Sequence, residues 1–276
     1  MNEITINWHI VEKCNYSCTY CFAKYKNSQF QEVEKSKGHI DLLLQKVYDY
    51  FTNKYDSVRL NIAGGEPTLS SNLEYIIQKA NEIGFSVSII TNGSKLTSNF
   101  IEENAPLISM FAISIDSLQD NTNVKIGRTT KLNVLNSSEL FSKIQQVRKA
   151  NPDVKIKINT VVNKHNFDEN MGSFMTSVKP DKWKVFQALS VGTDEEFCSS
   201  SEYGTFLEKH ENNMVKITKE SNDDMKESYI MIDPYGRFYQ NGGRSYVYSE
   251  SLLVSSVDKA FTSIHFDRSK YDARYA

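Results

Sequence analysis

The chain has 276 residues, 24% of them charged, with a net charge of −2 at pH 7. That length holds one large domain or two small ones, and the balanced charge gives no global attraction to nucleic acid or to an anionic membrane. No apolar run approaches the roughly 18 residues of a membrane-spanning helix. The N-terminus lacks a basic-then-apolar signal pattern. Four cysteines, three of them clustered, are not a disulfide framework. The expectation is a protein of a reducing, cytoplasmic compartment.

Ile4-Thr-Ile-Asn-Trp-His-Ile10 reads as a strand. It runs into Cys14-Asn-Tyr-Ser-Cys18-Thr-Tyr-Cys21, three thiols spaced CX3CX2C. A structural zinc ion wants four ligands, usually in two pairs, and the fourth cysteine, Cys198, is far away in sequence. A 4Fe–4S cluster takes one cysteine per iron. Three local thiols would therefore leave one iron open to a small molecule. The plain alternative is a surface loop that merely holds three thiols.

Residues 23–38 are polar and aperiodic, a loop. Residues 39–55 carry Ile40, Leu43, Leu44, Val47, Tyr50 and Phe51 at helical spacing. Val58-Arg-Leu-Asn-Ile62 is a strand ending in Ala63-Gly-Gly-Glu-Pro67. Ser71 or Asn72 caps the next helix, which buries Leu73, Ile76, Ile77, Ala80 and Ile83 and stops at Gly84. Residues 85–90 form a strand before the turn Thr91-Asn-Gly-Ser94. A short helix over 97–104 leads to the apolar run 108–115, which ends at Asp116. Residues 120–132 are polar around Gly127-Arg128. Ser137 or Ser138 opens a helix to Ala150. Strands follow at 154–162 and 183–189, with helix and turn over 166–178 and a helix within 200–219. Residues 229–233 and 237–240 are two strands around Pro234-Tyr-Gly236. Beyond Gly242 the tail offers Arg244, Arg268 and Arg274 but no clear element.

Strand–helix alternation over the first six strands predicts right-handed βαβ units and a parallel sheet, an α/β barrel or partial barrel. Ligands would sit at the C-terminal ends of its strands. The cysteine loop, Gly64 to Pro67, Thr91 to Ser94 and Ser114 to Ser117 all fall there. Residues 1–190 are expected to form the barrel. Residues 191–276 would be an extension that packs on it and closes it.

Gly64-Gly65 reads as a plain turn or as a place where a ligand nears the backbone. Glu66 beside them is a solvated carboxylate or an acceptor for a ligand amine. Lys155, Lys157 and Asn159 share one face of their strand, opposite Val154, Ile156 and Ile158. Lys182 and Lys184 likewise oppose Trp183 and Val185. An exposed strand explains such lysines. So does a barrel strand whose apolar face meets the helices while its lysines point inward, where buried ammonium groups need anions. His9 suits a core or supporting role near the cysteines. No GX4GK[ST] loop, HEXXH or Ser/His/Asp pattern is present.

The CX3CX2C spacing with Tyr20 before the last cysteine, joined to Gly64-Gly-Glu-Pro67, resembles the radical S-adenosylmethionine superfamily. The likeness narrows to the viperin family. It is carried in order by Asn7-Trp-His-Ile10, Asn61-Ile-Ala-Gly-Gly-Glu-Pro67, Thr91-Asn-Gly-Ser94, Ala112-Ile-Ser-Ile-Asp-Ser117, Lys125-Ile-Gly-Arg128, Lys157-Ile-Asn-Thr-Val-Val-Asn163, Trp183-Lys-Val-Phe-Gln187 and the segment 220–229.

The resemblance implies a partial (βα)6 barrel holding a 4Fe–4S cluster on Cys14, Cys18 and Cys21, with S-adenosylmethionine chelated at the open iron. One electron would release a 5′-deoxyadenosyl radical. That radical would take the 4′ hydrogen of a ribonucleoside triphosphate (CTP by default, with UTP or GTP as alternatives). Loss of the 3′ hydroxyl as water, with one further electron and a proton, would give the 3′-deoxy-3′,4′-didehydro nucleotide, an antiviral chain terminator. The cofactor does the difficult chemistry and the protein orients the ribose. Tyr20, Gly65, Glu66, Thr91, Asn92, Ser114 and Asp116 fall in segments that cradle S-adenosylmethionine in the family. Asn7, Arg59, Arg128, Lys157, Asn159, Lys182 and Lys184 match nucleotide positions, with Lys157 and Lys184 on phosphates. Tyr229 matches a tyrosine near the ribose that could give the final hydrogen or proton.

The implied partners are a nucleoside triphosphate and a one-electron donor such as flavodoxin or ferredoxin, for a monomer without nucleic-acid or membrane binding. Three departures stand out. Lys182 replaces an arginine, which removes a bidentate fork. Ala63 replaces a serine lining the nucleotide site. The amphipathic helix that leads the animal members and the tryptophan that ends them are not found in this sequence, so a soluble, microbial form is the expectation. A peptide-modifying member of the superfamily and a non-catalytic nucleotide-binding module are the rival readings.

Overall fold

The computed structural model describes residues 2–23, 25, 31–130, 133–243 and 245–275; Arg244 and part of the loop expected over 23–38 lie outside them. Strand β1 (Glu3–His9) is followed by helix α1 (Lys37–Thr52), β2 (Ser57–Ala63), α2 (Leu73–Ile83), β3 (Ser86–Thr91), α3 (Ser98–Asn104) and β4 (Met110–Ser114). Then come α4 (Asp120–Ile126), α5 (Ser137–Ala150), β5 (Lys155–Val162), α6 (Gly172–Val178) and β6 (Lys182–Gln187). The remainder holds α7 (Ser200–Lys209), β7 (Ile217–Glu220), α8 (Asn222–Met225), β8 (Ile230–Ile232), β9 (Arg237–Gln240), β10 (Val247–Ser251), α9 (Val257–Thr262) and α10 (Arg268–Tyr275).

These strands form one sheet in the order β10-β9-β8-β1-β2-β3-β4-β5-β6-β7. Pairing is parallel from β8 through β7 and antiparallel only at β8–β9 and β9–β10. The six expected parallel strands are thus β1 to β6, widened by β7 on one side and β8 on the other. Residues 200–219 are not all helix: α7 stops at Lys209 and 217–220 is β7. Four residues are too few to show a strand period. The polar segment after Asp116 holds α4, ended by Gly127 at φ 80°, and the unpatterned tail holds β10, α9 and α10. The α5 cap is Asn136, one residue before the serines, in a reciprocal capping box with Glu139. Asn72 sits at the α2 N-cap, but its side chain donates instead to the Glu34 carbonyl.

The two faces of the sheet differ as its alternation requires. Ile4, Ile6, Trp8, Ile156, Ile158, Trp183 and Val185 are buried in the main core with Leu44, Ile77, Ile144, Met175 and Phe206 of the helices. Asn7, Asn61, Ser88, Asn159 and Lys184 lie buried on the opposite face. That face is concave. Lys184 on β6 and Glu220 on β7 both contact Tyr229, just before β8, at the far end of the parallel strands. The sheet therefore curls until β6, β7 and the residue before β8 meet across its concave face. No described helix is long and apolar enough to cross a membrane.

Candidate functional site

Three turns at the C-terminal ends of β2, β3 and β4 converge on the cysteine loop. From the first, Gly65 N–H donates to the Val11 carbonyl (2.7 Å) and Glu66 N–H to the Lys13 carbonyl (2.9 Å). A Cβ at Gly65 would press on the carbonyl oxygens of Glu12 and Lys13, and one at Gly64 would lie 2.7 Å from the Val11 carbonyl. The close approach for which these glycines are needed is therefore made by the chain's own cysteine loop. From the second turn, Asn92 Nδ2 donates to Asn15 Oδ1 (3.0 Å) and stands 4.0 Å from Cys14 Sγ, while Asn15 Nδ2 donates to Ser94 Oγ (2.8 Å). From the end of α4, the carbonyls of Gly127 and Ile126 accept from Ser17 N–H (3.0 Å) and Thr19 N–H (3.1 Å).

The carboxylates here are held by their own neighbours. Glu66 is 1% exposed. Its Oε1 accepts from Thr68 N–H, Thr68 Oγ1 and Thr91 Oγ1 (2.6 Å), and its Oε2 from Asn92 N–H (2.7 Å). Burial raises this carboxyl, and those hydrogen bonds oppose the rise. Asp116 accepts from the Tyr20 hydroxyl, from Arg128 Nη1 (3.0 Å) and from Val161 N–H (2.8 Å). Arg128 also donates to the Ser114 carbonyl (2.5 Å), with its guanidinium 5.5 Å from the Tyr16 ring. The structure thus brings Arg128, expected at the nucleotide, to the cysteine loop. Together with Tyr16, Asn92, Ser114 and Asp116 it lines a small cleft.

The chemistry of the three thiols fits a cluster. None of the three is in a disulfide, and all three are partly buried. Burial raises Cys14, and raises Cys18 to about 12, with each thiol feeling its neighbours and Arg128 pulling the other way. Thiols so placed stay protonated until a cationic partner ionises them. Among the described residues no three His, Cys, Asp or Glu side chains converge on a single ion. A 4Fe–4S cluster asks for something different, one cysteine for each of three irons.

The second set of expected residues lies on the concave face. Asn7 Nδ2 donates to the Ile230 carbonyl (3.2 Å), Asn61 Nδ2 to Asn7 Oδ1 (2.7 Å) and Ser88 Oγ to Asn61 Oδ1 (2.9 Å), a polar line across four strands. Arg59 lies toward the strand N-termini in a two-pronged pair with Glu3 (3.0 and 3.2 Å). Lys157 is level with Lys182, and Asn159 with Lys184 and Ser114. Lys184 Nζ pairs with Glu220 and donates to the Tyr229 hydroxyl (3.0 Å), which in turn donates to Glu220. Arg274 of α10 joins them: Nε donates to Glu220 (2.6 Å), and its guanidinium lies 3.7 Å from the centre of the Tyr229 ring.

Lys157 makes no hydrogen bond among the described residues. Burial first, then Lys182, pushes its ammonium down to about 8. Burial also lowers Lys182 and, more strongly, Lys184, where Glu220 opposes it. Burial alone would raise Glu220, but Lys184 and Arg274 hold it below the usual carboxylate range. The Asn159 Oδ1 acceptor is buried without a partner. Glu220 and Arg274 were not singled out from sequence as site residues. Glu220 opens a motif segment, but nothing local marks Arg274, which arrives only by the docking of α10.

The family model of the radical SAM superfamily matches residues 8–176. A protein of Pseudoalteromonas ulvae, named S-adenosylmethionine-dependent nucleotide dehydratase, is 39% identical over 100% of this chain and 94% of its own length. A protein of Psychrobacter lutiphocae with the same name is 36% identical over 99% and 95%. The solved structure of native anSMEcpe with bound AdoMet and Kp18Cys peptide shares the fold at a TM-score of 0.71 and 13% identity, covering 99% of this chain and 82% of that one. Three cysteines in this spacing, braced at the C-terminal ends of a parallel barrel, are what such an enzyme needs to hold a 4Fe–4S cluster and S-adenosylmethionine. The chain belongs to the radical S-adenosylmethionine superfamily and, within it, to the viperin family of S-adenosylmethionine-dependent nucleotide dehydratases.

Proposed function

We propose that this enzyme takes a ribonucleoside triphosphate, CTP by default, and converts it to the 3′-deoxy-3′,4′-didehydro nucleotide, an antiviral chain terminator. The observation that carries this reading is Lys157. Its half-buried ammonium has no hydrogen bond among the described residues, in a group where Lys157, Lys182, Lys184 and Arg274 face one carboxylate, Glu220. Such an excess of cations in a site largely withdrawn from water calls for an anion, and a triphosphate supplies several acceptors at once. When bound, the cluster and S-adenosylmethionine supply the radical that takes hydrogen from the ribose. The chain's own part is to hold phosphates at Lys157 and Lys182 and to present the unpartnered Asn159 Oδ1 to a ligand donor. The Tyr229 hydroxyl, held between Lys184 and Glu220, would give the final proton, or a hydrogen atom whose replacement takes an electron from the donor as well as a proton. The residues beyond 190 serve to close the barrel. The enzyme works in the cytoplasm as a monomer, with a flavodoxin- or ferredoxin-type electron donor.

The test is anaerobic turnover of the reconstituted enzyme with dithionite, S-adenosylmethionine and each of CTP, UTP and GTP. Release of 5′-deoxyadenosine together with a nucleotide product lighter by one water is expected, highest with CTP. A preference for UTP or GTP overturns the choice of base. No stimulation by any triphosphate overturns the substrate class.

A further inference from the structure

The turns that brace the cysteine loop reach it up to Tyr20, whose hydroxyl donates to Asp116. Beyond Cys21 a different part of the molecule takes over. The Tyr246 hydroxyl, from the segment between β9 and β10, donates to the Phe22 carbonyl (2.6 Å). The Tyr25 hydroxyl meets His9 Nδ1 at 2.6 Å. The His9 ring also faces the Gly64 backbone. The ring tautomer decides whether Nδ1 accepts from the Tyr25 hydroxyl or donates to it. His9 thus ties the end of β1, beside the glycine turn, to the chain after Cys21.

The rings around this link are packed as a unit. Tyr25 stacks on Tyr246 (centroids 6.3 Å apart) and meets Tyr239 edge-on (5.4 Å), while Tyr239 meets Tyr246 edge-on (5.1 Å). Tyr25, Tyr239 and Tyr246 are all buried, in an aromatic cluster separate from the main core. An ordinary apolar cluster would be served as well by phenylalanine. Here, two of the buried hydroxyls are aimed at a carbonyl one residue past Cys21 and at a histidine facing the glycine turn.

We propose that His9, Tyr25 and Tyr246 are positioning residues for Cys21, and that through them the C-terminal β9–β10 hairpin sets how tightly the third iron is held and at what potential the cluster is reduced. Partners behind a metal ligand orient it and tune the metal in this way. The tyrosines do no chemistry of their own.

The test uses the reconstituted holoenzyme and three readouts: iron loss to a chelator, the midpoint potential of the cluster, and thermal unfolding of the cluster-free chain. Tyr246→Phe and Tyr25→Phe each remove one hydroxyl, and each is expected to speed iron loss by about 2- to 12-fold, the worth of one hydrogen bond, and to shift the potential. His9→Gln retains one donor and one acceptor and is expected to stay near the wild type, whereas His9→Leu matches or exceeds the tyrosine variants. Tyr203→Phe, which removes a hydroxyl bonded to the Val185 carbonyl on β6, is the remote control. Unchanged iron loss and potential in Tyr246→Phe and Tyr25→Phe overturn the proposal. Changes no larger than those in Tyr203→Phe, or following only the loss of thermal stability, overturn it equally.

Discussion

Around Asp116 every charge finds its partner inside the chain: the carboxylate takes Tyr20, Arg128 and Val161 N–H, and Arg128 spends a second donor on Ser114. Around Lys157 the same concave face gathers four cations against Glu220 and leaves Lys157 without a hydrogen bond. The first group is closed and the second is open. A closed buried ion group sets geometry: it fixes the end of β4 against α4 and so fixes the cysteine loop. An open one keeps capacity for something absent from the chain, and a buried cation has strong reason to take an anion. Family motifs mark both groups alike. The difference in partners is what supports the proposal of a ligand site at Lys157.

Four experiments break or sharpen that contrast. Asp116→Asn should cost about 3–5 kcal/mol of stability in denaturant unfolding of the cluster-free chain, because it leaves Arg128 buried without its counter-charge. A cost under about 1 kcal/mol would show the group is not closed. Lys157→Met should weaken CTP binding by about 1.5–3 kcal/mol, the worth of a charge-assisted hydrogen bond, with S-adenosylmethionine binding nearly unchanged. Calorimetry on both ligands checks this, and equal losses would place Lys157 outside the phosphate site. The same variant should be as stable as the wild type or up to about 2 kcal/mol more stable, since it removes an ammonium that the folded chain leaves without a hydrogen bond. A stability loss comparable to that of Asp116→Asn would erase the contrast.

The smallest effect is in pH. The Lys157 ammonium titrates near 8 in the folded chain, below its ordinary value of 10.5. Between those values the unfolded chain binds a proton that the folded chain does not. Stability relative to Lys157→Met should therefore rise with pH across that window, and the full cost should be present below about 8. A bound phosphate favours the charged form. CTP affinity should then fall as pH rises through about 8, and binding near that pH should take up protons, seen as a dependence of binding heat on the buffer's ionisation enthalpy.

Local pattern made much of this legible. The period-two alternation of β1, β2, β5 and β6, the helical stripes of α1, α2 and α5, and the stop at Gly84 come from steric and hydrophobic rules that act over a few residues. The lysine faces of β5 and β6 follow from the same alternation, once helices cover the other side. Short elements escaped: β7 has four residues and α4 is wholly polar outside Val124 and Ile126, so neither shows a period. Of the two readings of Glu66, the solvated carboxylate is excluded: it is buried and accepts from Thr68, Thr91 and Asn92.

The sequence by itself determined the alternating α/β order, the spacing of three thiols on one loop and the sidedness of the lysines, because each is written in neighbours along the chain. Tertiary structure alone decided which charges meet. Pairing of β7 with β6 brings Glu220 to Lys184, curling of the sheet brings Tyr229 to both, the docking of α10 delivers Arg274 to the same carboxylate, and the β9–β10 hairpin carries Tyr246 to the chain after Cys21. Those contacts join residues 36 to 224 positions apart. No local pattern encodes them, since they arise from how packed elements close around a shared interior.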